Sequence, residues 1–192
     1  MNHNRLISVV IVGDGNSGKN CIFNNFKENC KEYPLDYVPT VFDNSSRTME
    51  VDGIYYHVSL SYTTGQTEYD GLRILSYPST DVFLLCYAVS QRTSFESLPS
   101  KWIPELKLHC PQTPIVLVGT KIDMRKDGST STDYVSSAEG KEMSKQVNGF
   151  IECSAKTGDN LREVSCEAVR AVRRKSKRRV NLKYVSCGCV PL

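Results

Sequence analysis

The sequence lacks the features that would mark a membrane-spanning or an exported protein. It contains no run of about 18 apolar residues, so no segment is predicted to cross a bilayer as a helix. The first residues, MNHNRLISVVIVGDG, include no small-residue cleavage site and lead directly into an apolar strand, which predicts that there is no signal peptide. The 192 residues, of which 40% are hydrophobic and 23% charged, are typical of one globular domain with its own core.

None of the eight cysteines belongs to a Cys-x-x-Cys pair, and this absence argues against a zinc site. Cys86 and Cys153 lie inside apolar runs and are expected to be buried thiols. Because no export signal is predicted, we expect a reducing compartment in which the cysteines do not form disulfides.

Acidic residues are absent after Glu167, whereas eight lysines and arginines follow it. The whole chain has a formal net charge of +3, so this last part carries +8 and the residues before it carry −5. The asymmetry predicts that only the C-terminal part is attracted to an anionic partner.

Apolar runs that read as strands recur along the chain. Leu6–Val12, Asp81–Val89 and Pro114–Thr120 are continuous apolar segments, as expected for a parallel sheet that is covered on both faces. Two further strands are joined at Asp52-Gly53, a dipeptide that is typical of a hairpin turn. FIECSA, which begins at Phe150, is predicted to hold the last strand.

Helical patterns separate these strands. A helix is predicted around Phe95–His109, and Ser136 with Glu139 forms a capping box that starts another. The alternation predicts an α/β fold with a doubly wound, mostly parallel six-stranded sheet and helices on both faces. This domain is assigned to residues 1–175 and a flexible polybasic tail to residues 176–192. Ligands of such sheets bind beyond the carboxyl ends of the strands.

The first strand ends in the glycine-rich segment GDGNSGK, residues 13–19, which we call the phosphate loop. Its glycines let the backbone wrap around phosphate groups, and the helix that begins near Lys19 adds its positive end. Lys19 is expected to reach the β- and γ-phosphates of a nucleotide. A loop of this form is usually followed by Ser or Thr, whose hydroxyl binds Mg²⁺, but the next residue here is Asn20.

Two later strand ends, GTKID and CSAK, predict that the nucleotide base is guanine. The carboxylate of Asp123 is able to accept hydrogen bonds from the N1–H and amino groups of guanine, a donor pair that adenine lacks. The stem of Lys121 is expected to lie along the base, and the N–H group of Ala155 to bond its O6 atom. Thr-Lys-Ile-Asp read alone is also compatible with a polar loop, but the three segments in this order favour the guanine site.

Three long segments resemble one family closely. They are YVPTVFDN (residues 37–44), EYDGLRILSYPSTDVFLLCYAVS (residues 68–90) and KWIPELKLHCPQTPIVLVGTKID (residues 101–123). In these segments, and over nearly all of its length, the chain is similar to the small GTPases of the Ras superfamily, specifically to the Rho/Rac branch. The resemblance implies the P-loop NTPase fold of a G-domain, with GTP or GDP and Mg²⁺ as cofactors.

The resemblance also implies which residues act on the nucleotide. Thr40 matches the switch I threonine, whose hydroxyl binds Mg²⁺ and whose N–H group binds the γ-phosphate. Gly65 matches the switch II glycine that senses the same phosphate, and Gln66 the glutamine that orients the attacking water. Gln66 and Lys19 are therefore the expected catalytic residues. The residues that match the nucleotide contacts of the family are Gly15, Asn16, Ser17, Gly18, Lys19, Asn20, Cys21, Tyr33, Tyr37, Thr40, Gly65, Thr120, Lys121, Asp123, Ser154, Ala155 and Lys156.

The chain departs from the family pattern at the metal site. The family has Asp-Thr-Ala-Gly-Gln in switch II, whereas this chain has Tyr62 in place of the aspartate and Thr64 in place of the alanine. A phenol is neutral at pH 7 and supplies no negative charge to a Mg²⁺ shell. The resemblance implies that an asparagine at the position of Asn20 favours the GDP-bound or empty state and traps the exchange factor. We therefore expect weakened Mg²⁺ binding by Asn20 and Thr40, and weak nucleotide binding.

A second departure is a deletion. The Rho branch usually carries a short extra helix between the guanine loop and the next helix, but Met124–Val135 is too short to hold it and is predicted to be a loop. Two functions remain open for the whole chain. One is a GTP switch with slow or impaired hydrolysis, and the other is a non-cycling pseudo-GTPase that sequesters exchange factors or effectors.

The tail contains RRKSKRR (Arg173–Arg179), in which six of seven residues are basic. A solvated helix end, nucleic-acid binding and nuclear import are alternative interpretations, but the terminal CVPL fits the C-a-a-X pattern, with Leu192 favouring geranylgeranyl on Cys189. One lipid anchors weakly, and a polybasic patch supplies the second signal. Cys187 is a candidate for palmitoylation.

We therefore expect a monomeric protein, without nucleic-acid partners, that binds an anionic membrane through its tail. It is expected on the cytoplasmic face of the plasma membrane or of endomembranes, with a cytosolic pool. The resemblance implies exchange factors, activating proteins, a dissociation inhibitor and effectors of the Rho type as partners, and regulation of the actin cytoskeleton as the outcome.

Overall fold

The computed structural model describes residues 6–28, 41–125 and 134–186, and for residues 178–186 the backbone alone. Six strands form one sheet in the order β2-β3-β1-β4-β5-β6, in which only the β2–β3 pair is antiparallel. The predicted mostly parallel six-stranded sheet is thus confirmed. The strands are β1 (Leu6–Val12), β2 (Phe42–Val51), β3 (Ile54–Thr63), β4 (Val82–Ala88), β5 (Ile115–Thr120) and β6 (Gly149–Glu152).

Six α-helices are described, and they lie on both faces of the sheet, as the alternating pattern predicts. Side chains of α1 and α6 pack in one core cluster, and those of α3 and α4 in the other. Along β1, Val9 and Ile11 join the first cluster while Val10 and Val12 join the second, which explains why the strand is continuously apolar. The helices are α1 (Lys19–Glu28), α2 (Asp70–Leu75), α3 (Arg92–Ser97), α4 (Ile103–His109), α5 (Ser137–Met143) and α6 (Leu161–Ser186).

Local signals set several of the element boundaries. Asp52 and Gly53 have φ angles of 52° and 76°, in the left-handed region that a two-residue hairpin turn requires, and the predicted hairpin is confirmed. Ser136 and Glu139 form the predicted capping box at the start of α5. Cys86 and Cys153 are 0% and 1% exposed, and burial raises the pKa of Cys86 to about 12.

The predicted helix around Phe95–His109 begins earlier and is not uniform. It starts at Arg92, and α3 and α4 are joined by a π-helical turn, Leu98–Trp102. Pro99 lies in that turn and has no backbone N–H to donate, so the regular hydrogen-bond ladder is interrupted there.

Two predicted boundaries fall in segments of which the structure describes only a part. The final helix α6 continues to Ser186, so the predicted division between domain and tail at residue 175 falls inside a helix. Within the predicted loop Met124–Val135, Met124 and Arg125 belong to the 3-10 helix Ile122–Arg125, and residues 126–133 lie outside the described residues. In the described ranges no helix is both long and apolar enough to span a bilayer.

Candidate nucleotide site

The loops that leave β1, β5 and β6 meet beyond the carboxyl ends of these strands and surround a cavity of about 210 Å³. We call it the guanine cavity. Its walls come from the phosphate loop, the start of α1 and the two segments that the sequence assigns to the base. The lining residues are Gly18, Cys21, Ile22, Thr120, Lys121, Asp123, Met124, Cys153, Ala155 and Lys156.

The phosphate loop requires glycine at two positions because it packs closely on the neighbouring strands. At Gly13, with φ 136°, a Cβ atom would lie 2.2 Å from the carbonyl oxygen of Cys86 in β4. At Gly18, with φ 82°, it would lie 2.8 Å from the Thr120 hydroxyl in β5. Asn16 has φ 60°, a left-handed conformation that asparagine adopts more readily than most residues.

Lys19 lies under the phosphate loop and is 3% exposed. Its ammonium group donates hydrogen bonds to the carbonyl oxygens of Gly13 (2.7 Å) and Asp14 (2.6 Å). Burial lowers the pKa of Lys19 to about 8. The group is still charged at pH 7, but burial has removed the water that would solvate this charge. An anion bound in the loop would offset that desolvation.

Asp123 is held at the rim of the guanine cavity by Ser154, whose hydroxyl donates to the Asp123 Oδ1 atom at 2.6 Å. The Ser154 oxygen in turn accepts from the N–H group of Thr157 at 3.1 Å. Lys121 has φ 61°, which turns the chain sharply between the strand and Asp123. One oxygen of Asp123 is thereby fixed by the protein.

Hydrogen bonds and an ion pair also connect the base segments with the phosphate loop and with each other. The hydroxyl of Thr120 lies 2.9 Å from the carbonyl oxygen of Ser17, to which it donates. Arg125 forms an ion pair with Glu152 at 2.7 Å and donates to the carbonyl oxygen of Val135 at 2.7 Å. Neither residue of this pair was among the predicted site residues. The available signal was the opposite charges that lie two residues after Asp123 and two residues before Ser154.

With this geometry established, the chain can be compared with known proteins. A family model described as "Ras family" matches residues 8–174. The chain belongs to the Ras family. The protein named Ras-like GTP-binding protein RhoL, from Drosophila melanogaster, is 49% identical to this chain over 175 residues, which are 90% of each protein. The predicted small-GTPase fold is therefore confirmed.

The residues assigned to nucleotide binding fall into three groups in this Ras-family chain. Those of the phosphate loop, of α1 and of the two base segments surround the guanine cavity or adjoin it. Gly65 and Gln66 follow β3, and the predicted nucleotide contacts Tyr33, Tyr37 and Thr40 lie outside the described residues, as does the predicted lipidation site Cys189.

Gly65, the predicted switch II glycine, lies against the phosphate loop. A Cβ atom on Gly65 would lie 2.2 Å from the carbonyl oxygen of Gly13 and 2.8 Å from the backbone nitrogen of Gly15, so only glycine fits. The N–H group of Thr64 donates to the carbonyl oxygen of Val41 at 3.0 Å, which joins the start of switch II to the segment before β2. Thr64, which replaces the alanine of the family pattern, is buried, 7% exposed.

The predicted metal position of this Ras-family chain carries two substitutions relative to the family pattern. Tyr62 is 5% exposed and packs on Phe23 of α1, three residues after Asn20 and therefore on the same helix face. A neutral phenol and a neutral amide occupy the positions where the family pattern has a carboxylate and a hydroxyl. Among the described residues no group of three or more His, Cys, Asp or Glu side chains could hold a metal ion. The two substituted positions thus carry no negative charge, and the other predicted ligand, Thr40, lies outside the described residues.

Proposed function

We propose that this protein is a Rho/Rac-like guanine-nucleotide-binding signalling protein whose Mg²⁺ and nucleotide binding are weaker than the family pattern implies. The observation that carries the proposal is the hydrogen bond from Ser154 to Asp123 at the guanine cavity. It fixes a carboxylate at the cavity, where a base with two adjacent donors, N1–H and an amino group, would complete its hydrogen bonds. The phosphate loop and Lys19 supply the neighbouring anion site.

Recognition and any turnover follow from these groups. The N–H groups of the loop and the Lys19 ammonium would stabilise the charge that develops on the phosphates, and Gln66 would orient the attacking water. Mg²⁺, when bound, would neutralise part of the phosphate charge, and Asn20 and Thr40 are its proposed protein ligands. Because the Tyr62 position contributes no negative charge, hydrolysis is proposed to be slow.

The nucleotide content of the purified protein tests this proposal. The protein is purified without added nucleotide, in parallel in Mg²⁺ and in chelator, then denatured, and the released nucleotide is identified by chromatography. We expect guanine nucleotide in substoichiometric amount and nearly the same amount in both buffers. Near-stoichiometric GDP or GTP that leaves only in chelator would show that the metal site is intact. An adenine nucleotide, or none under any condition, would contradict guanine binding.

The second candidate is a pseudo-GTPase that does not cycle and sequesters exchange factors or effectors. The packing of Tyr62 on Phe23 favours it, because the residue at the metal position belongs to the hydrophobic core. A measured GTP turnover in the presence of an activating protein would exclude this candidate. Stable capture of an exchange factor by the nucleotide-free protein, without turnover, would support it.

Switch I and switch II are the proposed surfaces for effectors, exchange factors, activating proteins and a dissociation inhibitor. Phe42 of β2 and Leu72 and Leu75 of α2 are 56%, 59% and 74% exposed, and a partner would cover these apolar side chains. We assign the actin cytoskeleton as the regulated system on the strength of the resemblance to the Rho/Rac branch.

Membrane attachment is proposed through geranylgeranyl on Cys189 and the basic residues of the tail. Three arginines of α6 are ion-paired, two of them to the turn between β2 and β3 and one within α6 itself, and they are proposed to contribute less to this attachment. Arg170 and Arg173 bind Asp52 at 2.8 Å, and Arg174 binds Glu167 at 2.6 Å. The basic patch that faces a membrane is therefore proposed to include the exposed Lys177, which follows these arginines. We place the protein on the cytoplasmic face of the plasma membrane or of endomembranes, with a cytosolic pool.

A further inference from the structure

The carboxylate of Asp14 points away from the interior of the phosphate loop. Its Oδ1 atom accepts a hydrogen bond from the indole N–H of Trp102 at 2.7 Å, and its Oδ2 atom accepts one from the hydroxyl of Ser97 at 2.7 Å. Ser97 immediately precedes the π-helical turn between α3 and α4, and Trp102 is the last residue of that turn. Such turns are frequent at functional positions, and this one presents both donors to the same carboxylate.

The face of the same indole ring contacts a cationic side chain of another helix, α2. Trp102 is fully buried, and the guanidinium carbon of Arg73 in α2 lies 4.6 Å from the ring centroid. Arg73 is itself 2% exposed. A buried guanidinium over an indole face is a favourable cation–π pair, and it gains from the absence of water.

Arg73 is fixed on its other side by charged partners. Its Nη2 atom donates to the two carboxylate oxygens of Glu105 in α4, at 2.9 and 3.1 Å. Its Nη1 atom donates to the Asp70 carboxylate at 2.6 Å. Tyr77 donates to the same Glu105 carboxylate at 2.5 Å. Although burial by itself lowers the pKa of Arg73, the hydrogen bonds to Glu105 and Asp70 raise it above its ordinary value, so the group stays charged. Losing Glu105 would remove the carboxylate that binds this buried charge through two oxygens, which would be strongly destabilising.

We infer that Trp102 is a positioning residue that connects the phosphate loop, through Asp14, with the switch II helix α2, through Arg73. The inference rests on the proposed nucleotide binding and deepens it. An indole has only two side-chain torsions and is packed on all sides, so a change in the loop that moves Asp14 moves the ring and with it Arg73. Occupancy of the loop thereby sets the order of α2, which carries the exposed Leu72 and Leu75.

The experiment measures amide hydrogen exchange of the full chain with and without GDP. In the unaltered protein GDP is expected to slow exchange both in residues 13–18 and in α2. In Trp102→Phe, which keeps a ring under Arg73 but lacks the N–H group, GDP should still protect the loop, whereas its protection of α2 should fall at least fivefold. Ile103→Val, a buried neighbour in α4 with no hydrogen bond to Asp14, is the matched control and should keep both effects.

The outcomes separate this inference from the proposed function. Protection of α2 by GDP that is unchanged in Trp102→Phe would overturn the inference while leaving nucleotide binding intact. GDP that protects neither segment of the unaltered protein would overturn the proposed function and the inference with it. Trp102 is the single tryptophan of the chain, so its emission in the unaltered protein is a second test that needs no variant. An emission spectrum that stays constant while GDP binds would also contradict the inference.

Discussion

The rings of Tyr62 and Phe23 lie with their centroids 5.9 Å apart and their planes tilted by 54°. This contact occupies the position where the Ras-family pattern has a metal-side aspartate, and it belongs to the core cluster that α1 and α6 form with the sheet. A residue expected to serve the cofactor thus packs the core. The consequence is that a return to the family residue cannot be neutral for stability.

Tyr62→Asp is expected to destabilise the protein by about 3 kcal/mol or more in chelator, because it removes a buried aromatic ring and buries a carboxylate. Urea unfolding at pH 7 measures the change. Tyr62→Phe keeps the ring, and as the control it should lower the free energy of unfolding by only about 1 kcal/mol. Equal stability of Tyr62→Asp and the unaltered chain would show that the ring contact with Phe23 contributes little.

Asn20→Thr combined with Tyr62→Asp is expected to restore a metal-dependent nucleotide site. The pair supplies a hydroxyl and a carboxylate, and recovering such ligands changes metal affinity by roughly 10–100-fold. We expect chelator to speed GDP release at least tenfold in the double variant and less than twofold in the unaltered chain. Release rates that respond equally in both proteins would show that Asn20 and Tyr62 do not weaken the metal site.

The affinity for GDP is expected to fall above pH 8 because Lys19 must be charged to bind phosphate. Its pKa in the folded chain is about 8, so each pH unit above that value should weaken binding roughly tenfold, with no such dependence below it. The same lowered pKa has the opposite effect on the stability of the nucleotide-free protein, which rises with pH. The folded pKa lies below the ordinary 10.5, so the folded chain binds fewer protons than the unfolded chain and gains stability from pH 8 to 10.5.

Titration of GDP between pH 7 and 9.5, together with urea unfolding of the empty protein, measures both trends of Lys19. Lys19→Arg is the comparison, since a guanidinium stays charged over this range. The arginine variant should show no tenfold steps in GDP affinity. A pH dependence that is the same in both proteins would assign the titration to another group.

Arg125→Met is expected to speed the release of GDP by severalfold to tenfold, because its ion pair with Glu152 connects the two segments that hold the base. Arg92→Met is the matched control. Arg92 also binds a carboxylate, Glu139 at 2.9 Å, and a backbone carbonyl, that of Tyr134, but it does not join the base segments. If both substitutions speed release equally, the effect comes from general loosening rather than from the base site.

Much of the fold followed from patterns that are local in sequence. β1, β4 and β5 are apolar on both faces, Asp52-Gly53 marks its own turn and Ser136 with Glu139 marks a helix start, so each was predictable from a few neighbouring residues. The contacts that organise the site join distant positions instead. Asp14 is 88 residues from Trp102, and Arg125 is 27 from Glu152. No periodicity encodes such pairs, and they emerge only when the sheet brings the strand ends together.

Tyr62 shows the complementary limit. The family pattern identified the position and the missing charge, but it did not predict that the ring would be inserted beside Phe23. That outcome depends on the space between β3 and α1, which no linear motif describes. The ion pairs of Arg170 and Arg173 with Asp52 were missed for the same reason, and they alter the predicted charge of the tail.

Binding of the prenylated protein to anionic vesicles is expected to depend on Lys177 more than on Arg173. Lys177 is exposed, with no ion pair in the described part of the chain, whereas Arg173 is bound to Asp52. An unpaired basic residue near an anionic surface contributes about 1 kcal/mol, so Lys177→Gln should weaken binding about fivefold and Arg173→Gln less than twofold.

Asp52→Asn should act in the opposite direction, because it releases Arg170 and Arg173 towards the membrane. Vesicle sedimentation at low and high salt measures all three effects, and high salt should reduce the differences between them. Equal losses from Lys177→Gln and Arg173→Gln, with no gain from Asp52→Asn, would mean that the whole charge of the tail acts together despite the ion pairs.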